Sequence, residues 1–176
     1  TAVSATFVED GQEDFLAVLL ADVQEVDSQG EHNFKRSEKV VFYNSGLQVV
    51  SEIPLEREGC SALGFENGKL FLFIDQMMET YEMGESGWNR TKRESLRHRV
   101  TQCHITDLDG NGEMEYLLSN GLDLYLYHHV DTGLLKLWST HLGVESLYGA
   151  LYSGDLNGDG VKEVYICDAT GTTIRY

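Results

Sequence analysis

The sequence predicts an all-β protein built from repeats of about 50 residues, and three observations carry that expectation. Apolar residues recur in short runs rich in β-branched and aromatic types, without sustained helical periodicity. A single proline stands against 18 glycines, so the turns are made by Gly, Asn and Asp. An acidic residue follows the first turn of each segment, at Asp14, Glu66, Glu115 and Glu163, at intervals of 52, 49 and 48 residues. A unit of that size holds four antiparallel strands, and such a sheet must stack on a neighbour to bury its second face, which is the blade of a β-propeller. A β-sandwich offers no reason for a loop to recur at fixed spacing. The chain, 1–176, is therefore read as a single β-propeller-type domain with repeats at about 1–55, 56–98, 99–145 and 146–176.

In the first repeat the expected strands are 2–8 (AVSATFV), 15–23 (FLAVLLADV), 39–44 (KVVFYN) and 47–53 (LQVVSEI), the last two joined by the tight link Asn44-Ser45-Gly46. After the linker PLEREG the pattern restarts with 60–65 (CSALGF), 69–75 (KLFLFID) and 78–83 (METYEM), and a short fourth strand is expected near Trp88-Asn89-Arg90. The stretch 91–99 (TKRESLRHR) reads as a basic, polar connector. The third repeat takes 100–106, 114–119, 122–130 and 134–142, and the fourth 148–154, 162–168 and 172–176. Three strands in the last repeat leave two arrangements open: a small ring of four repeats, or part of a propeller of about seven blades. The start inside a strand-like run suggests a trimmed chain.

Composition narrows the partners. With 29 acidic and 13 basic residues the formal charge is −16, which repels nucleic acid phosphates and anionic lipid and permits cation binding. No apolar run approaches the roughly 20 residues of a membrane helix, so direct membrane insertion is not expected. Cys60, Cys103 and Cys167 cannot all pair within one chain and show no C-x-x-C spacing, which points to free, buried thiols. His128 and His129 are adjacent on an expected strand and so face opposite ways, a poor ligand pair.

Two stretches carry the chemistry: DLDGNGEMEYLL from Asp107 and DLNGDGVKEVYI from Asp155. They offer side-chain oxygens at alternate positions, Asp107, Asp109 and Asn111 in one and Asp155, Asn157 and Asp159 in the other, followed by Glu115 and Glu163. The interleaved glycines let the backbone curl these oxygens around a common centre, and the backbone carbonyls of Glu113 and Val161 are expected to complete the set. Crowded carboxylates repel unless a cation lies among them, and all-oxygen ligands favour Ca²⁺ over a transition metal. Two Ca²⁺ sites are therefore expected. An EF-hand begins in the same way but needs a Glu at its twelfth position and flanking helices; here that position is Leu118 or Ile166, and strand-like runs follow.

At these residues the chain resembles the FG-GAP or VCBS-type repeat of integrin-like β-propellers. YGALYSGDLNGDGVKEVYICDA follows the family pattern, with Tyr148-Gly149 for its Phe-Gly pair; CHITDLDGNGEMEYLLSNG carries the ligands without that pair. Both copies place Glu where the family has Asp, which adds a methylene to that ligand. The earlier repeats depart further: 7–15 (FVEDGQEDF) loses the alternate order and 64–71 shortens to a Glu-Asn-Gly-Lys turn, so neither is expected to hold calcium well. The resemblance implies a propeller with Ca²⁺ in the turns between the first two strands of blades, in proteins that are exported or displayed at the cell surface.

Catalytic signals are sparse. No G-x-S-x-G elbow or phosphate-cradling glycine loop appears, and His104 and His141 read as packing or surface residues. Tyr125, Tyr127, Trp138, Tyr148 and Tyr152 cluster in the last two repeats, to pack between blades or, if exposed, to stack on sugar rings or a peptide. Asn89-Arg90-Thr91 fits a glycosylation sequon. The expected function is an extracellular or cell-surface, calcium-stabilised binding or adhesion module for a protein or polysaccharide ligand, without catalysis. The alternative is a propeller polysaccharide lyase or hydrolase with structural calcium; a purely scaffolding lipoprotein domain is a third reading.

Overall fold

A computed structural model describes residues 2–9, 14–28, 31–56, 58–130, 133–143, 151–167 and 173–175. Its described residues form strands and turns with no helix, arranged as antiparallel sheets of β-propeller-type repeats. The chain divides into two compact units, Thr1–Arg93 and Glu94–Tyr176.

Unit 1 contains two four-stranded sheets. The first is β1 (Ala2–Glu9), β2 (Asp14–Ser28), β3 (Glu31–Tyr43) and β4 (Val49–Pro54), and the second β5 (Cys60–Glu66), β6 (Lys69–Ile74), β7 (Met77–Gly84) and β8 (Gly87–Ser95), each ordered as in the sequence. Cross-strand pairs such as Ala17 with Phe42, Leu19 with Val40 and Leu63 with Leu72 put apolar residues on one face of each sheet. Those two faces meet in a core that includes Leu19, Val40, Phe42, Leu63, Leu70 and Leu72. Truncating one of its leucines to Ala should cost about 2–5 kcal/mol. The first strands of the two sheets are neighbours, and the Leu63 N–H donates to Ser4 Oγ at 3.2 Å.

Two parts of unit 1 differ from expectation. β2 and β3 continue as a long hairpin, pairing without interruption from Leu16–Tyr43 to Ser28–Glu31, where 24–38 was assigned no strand. The stretch 91–95, read as a connector, belongs to the nine-residue β8. β8 is the exposed edge of its sheet and buries no alternate face, so the apolar alternation that marks a strand is missing. Its arginines instead reach the buried Glu79 of β7: Arg93 Nε donates to Glu79 Oε1 at 2.8 Å, and Arg93 Nη2 and Arg90 Nη1 also face that oxygen.

Unit 2 holds β9 (Gln102–Thr106), β10 (Glu115–Ser119), β11 (Asp123–Val130) and β12 (Gly133–His141) in one sheet, and β13 (Leu151–Gly154), β14 (Glu163–Cys167) and β15 (Thr173–Arg175) in another. Leu117, Leu124, Leu126, Leu142, Val164 and Ile166 form the core between them. The first strands are again neighbours, with His104 Nε2 2.9 Å from Ser153 Oγ, and from the end of the second acidic loop Lys162 Nζ donates to Thr106 Oγ1 at 3.0 Å. Tyr148-Gly149, residues 10–13 of the first turn and 148–150 of an expected strand lie outside the described residues.

Candidate metal centres

The acidic loops 107–115 and 155–163 connect the first two strands of the two sheets in unit 2. Each is organised by its leading aspartate, which accepts three backbone N–H groups. Asp107 Oδ1 takes those of Gly110 (2.8 Å) and Asn111 (3.1 Å) and Oδ2 that of Gly112 (3.0 Å). Asp155 Oδ1 takes those of Gly158 (2.6 Å) and Asp159 (3.2 Å) and Oδ2 that of Gly160 (2.9 Å). The N–H of Gly160, with those of Gly158 and Asp159, holds the Asp155 carboxyl below the usual carboxylate range, because these donors favour its charged form. The turn closes only with positive φ at Gly110 and Gly112 (76° and 89°) and at Gly158 and Gly160 (79° and 88°). Open space surrounds each of these Cα atoms, so conformation rather than crowding requires glycine.

The closing glutamates begin the next strand and are buried, Glu115 at 6% exposure and Glu163 at 8%. Each turns one oxygen back on its own loop: Glu115 Oε2 accepts the Leu108 N–H at 2.8 Å, and Glu163 Oε2 accepts the Leu156 N–H at 3.2 Å. The longer side chain thus ties the first bend of the loop to the strand. Leu108 packs on the core beneath.

Convergence differs between the loops. Asp107, Asp109 and Glu115 each place a carboxylate oxygen within 4.8 Å of the other two, the only such group of acidic, histidine or cysteine side chains among the described residues. Like charges at that separation repel by about 1–4 kcal/mol per pair, depending on local screening. Asn111 stands beside this trio, with Nδ2 donating to Asp109 Oδ2 at 3.1 Å and Oδ1 accepting the Glu113 N–H at 2.6 Å. In the second loop Asp155, Asp159 and Glu163 do not close up in this way, because Asn157 Nδ2 lies between two of them, 2.9 Å from Asp159 Oδ2 and 2.5 Å from Glu163 Oε1. Val161 is exposed and donates its N–H to Asp159 Oδ1 at 2.9 Å.

Sequence reasoning missed the residues that border the glutamates. His128 lies opposite Glu115 in the β10–β11 ladder, with Nε2 3.4 Å from Glu113 Oε2 and Nδ1 3.9 Å from Glu115 Oε1. Tyr165 donates its hydroxyl to Glu163 Oε2 at 3.3 Å. Strand register sets the first neighbour, and the two-residue repeat along β14 sets the second.

Elsewhere, His104 is a packing residue hydrogen-bonded to Ser153, and His141 lies 2.9 Å from Asp123 Oδ1. Tyr127 is buried and Tyr125 half-buried, with His98 stacked on Tyr125 at 3.6 Å; Tyr152 and Trp138 are exposed, and Tyr148 lies outside the described residues. All three cysteines are free, but only Cys60 is fully buried; Cys103 and Cys167 are half-buried. Burial first, then the Glu38 carboxylate, pushes the Cys60 thiol up to about 12.

Residues 107–166, which take in both loops and the strands between them, match the family model of the FG-GAP-like repeat. That segment is about a third of the chain. Comparison with curated proteins gives no match.

Proposed function

We propose that the chain is a calcium-stabilised, non-catalytic binding module that works outside the cell or at its surface and recognises a protein or polysaccharide. The observation that carries the calcium reading is the convergence of Asp107, Asp109 and Glu115. All-oxygen donors of high charge suit a hard cation, and calcium takes six to eight such oxygens. Asp107, Asp109, Asn111, the Glu113 carbonyl and Glu115 would hold one ion; Asp155, Asn157, Asp159, the Val161 carbonyl and Glu163 would hold the second. In the second loop Asn157 must turn its amide to present oxygen, since its nitrogen faces Asp159 and Glu163. A bound ion neutralises the clustered carboxylates and fastens the turn to the strand that follows.

The extracellular assignment follows from the affinity expected of such loops. With a dissociation constant near 10⁻⁴ M and free calcium near 2 mM, each occupied site stabilises the fold by about 2 kcal/mol, whereas sub-micromolar cytosolic calcium contributes almost nothing. No helix among the described residues is long and apolar enough to cross a membrane. For ligand contact, Trp138 and Tyr152 offer exposed rings among the described residues of unit 2.

The test is a thermal melt in EGTA and in millimolar CaCl₂ on the parent and on an Asp107→Ala, Asp155→Ala double variant. A rise of about 4–8 °C per occupied site is expected in the parent and none in the variant. A parent whose melting temperature ignores calcium sinks the proposal.

A further inference from the structure

Between its two sheets, unit 1 holds a cavity of about 490 Å³ at the end where β1 turns into β2 and β5 into β6. Val8, Phe15, Phe42, Phe65, Met83 and Trp88 form its walls, and Phe42 and Trp88 stack nearly parallel with ring centres 5.0 Å apart. The corresponding end of unit 2 has long acidic loops, from which Leu108 packs onto the core between the sheets. Among the described residues, the β5–β6 turn of unit 1 offers no such side chain. Its β5–β6 turn is only Asn67 and Gly68, both at positive φ (49° and 76°), and the link 10–13 reads Asp-Gly-Gln-Glu, with no apolar residue. The shortened β5–β6 turn thus sends no apolar side chain over its end of the two sheet faces.

We infer that this cavity binds a small, uncharged aromatic molecule. Its volume falls in the range of small-molecule sites, about 300–1,000 Å³, and its walls offer ring faces and edges for stacking. Two charged groups line it, Lys69 and Glu82, and they face each other across β6 and β7 at 3.2 Å, so neither seeks a charged ligand. The net charge of −16 disfavours an anion further. Ser51 and Asn67 add neutral polar groups suited to a hydroxyl or amide substituent. Met83, 57% exposed, is unbranched and can adjust to the ring that enters. The inference rests on unit 1 alone and stands apart from the calcium reading.

The probe is N-phenyl-1-naphthylamine, an uncharged fluorophore, titrated into the whole chain in EGTA and again in CaCl₂. A saturable rise in emission at one equivalent is expected, equal in both buffers and accompanied by energy transfer from Trp88. Val50→Phe with Met83→Phe, both at exposed positions of the lining, should fill the cavity and abolish the saturable rise while the melting temperature stays near the parent's. In Trp138→Phe the transfer should persist, which assigns it to Trp88, the other of the two tryptophans, and locates the probe should the filled variant fail to fold. The anionic 1-anilinonaphthalene-8-sulfonate should bind more weakly. Absence of a saturable rise, or a rise unchanged in a folded, filled variant, overturns the inference; equal binding of the sulfonate overturns its uncharged character.

Discussion

Loops 107–115 and 155–163 carry the same ligand side chains with the third and fifth positions exchanged: Asp109 and Asn111 in one, Asn157 and Asp159 in the other. In both, the third position looks toward the closing glutamate. An aspartate there adds a carboxylate to the cluster, and Asp107, Asp109 and Glu115 converge. An asparagine there donates a hydrogen bond to Glu163 and bridges it to Asp159. Three carboxylates at the matching positions of each loop therefore converge in one, beside the further acid Glu113, and are bridged by an amide in the other, beside Lys162. On the proposed calcium reading, the order of Asp and Asn at the third and fifth positions helps to decide how strongly each loop calls for a cation.

The largest test of this contrast separates the loops. Asp107→Ala should remove most of one site's calcium response, about 2 kcal/mol, whereas Asp155→Ala should remove less, because the second loop must first break its Asn157 bridge. Melts of each single variant with and without calcium read the difference, and equal losses would mean that residue order is irrelevant.

Exchanging the third position is a finer test. Asn157→Asp should lower stability in EGTA by about 1 kcal/mol, through a lost hydrogen bond and an added like charge, and should tighten calcium binding measured by calorimetry. Asp109→Asn should do the reverse. If both substitutions move the calcium-free melting temperature in the same direction, the account of the two loops fails.

The smallest effect is one of pH and concerns the strands that lead into the loops. His104 on β9 meets Ser153 on β13, and burial, helped by the Lys162 ammonium, holds its imidazole below its ordinary value near 6.5. The folded state then binds this proton less readily than the unfolded chain. Its contribution is present above about pH 6.5 and is lost as pH falls through the folded value. Calcium-free melts between about pH 7.5 and 5.5 should show a shallower decline in His104→Gln than in the parent; parallel declines would remove His104 as a cause.

The turns of the acidic loops were legible because they are local: within nine consecutive residues the leading aspartate and the positive-φ glycines shape each one. The inner strands were legible as well, since β6 and β10 read as short apolar runs and are buried along almost their whole length. The second half of β8, 91–95, was not, because an edge strand rich in Arg and Lys has no buried face to impose alternation. Nor was the extension of the β2–β3 hairpin, where backbone pairing continues through a sequence without an apolar rhythm. His128 beside Glu115 escaped notice because that contact depends on the register of β10 with β11, which a reading along one strand does not supply.

The seams between first strands have a bearing on the order in which the chain assembles. Within each sheet, partners sit on successive strands, but the bonds His104–Ser153, Thr106–Lys162 and Ser4–Leu63 join residues 49, 56 and 59 apart. Hairpins close in about 1–10 μs, while contacts of long sequence separation must first meet the entropy of a larger loop. Each sheet should therefore form as a run of hairpins before the seams lock them together. Ser153→Ala is then expected to speed unfolding while leaving the refolding rate nearly unchanged in stopped-flow experiments, making these few side-chain contacts the late fasteners of a structure whose sheets are already complete.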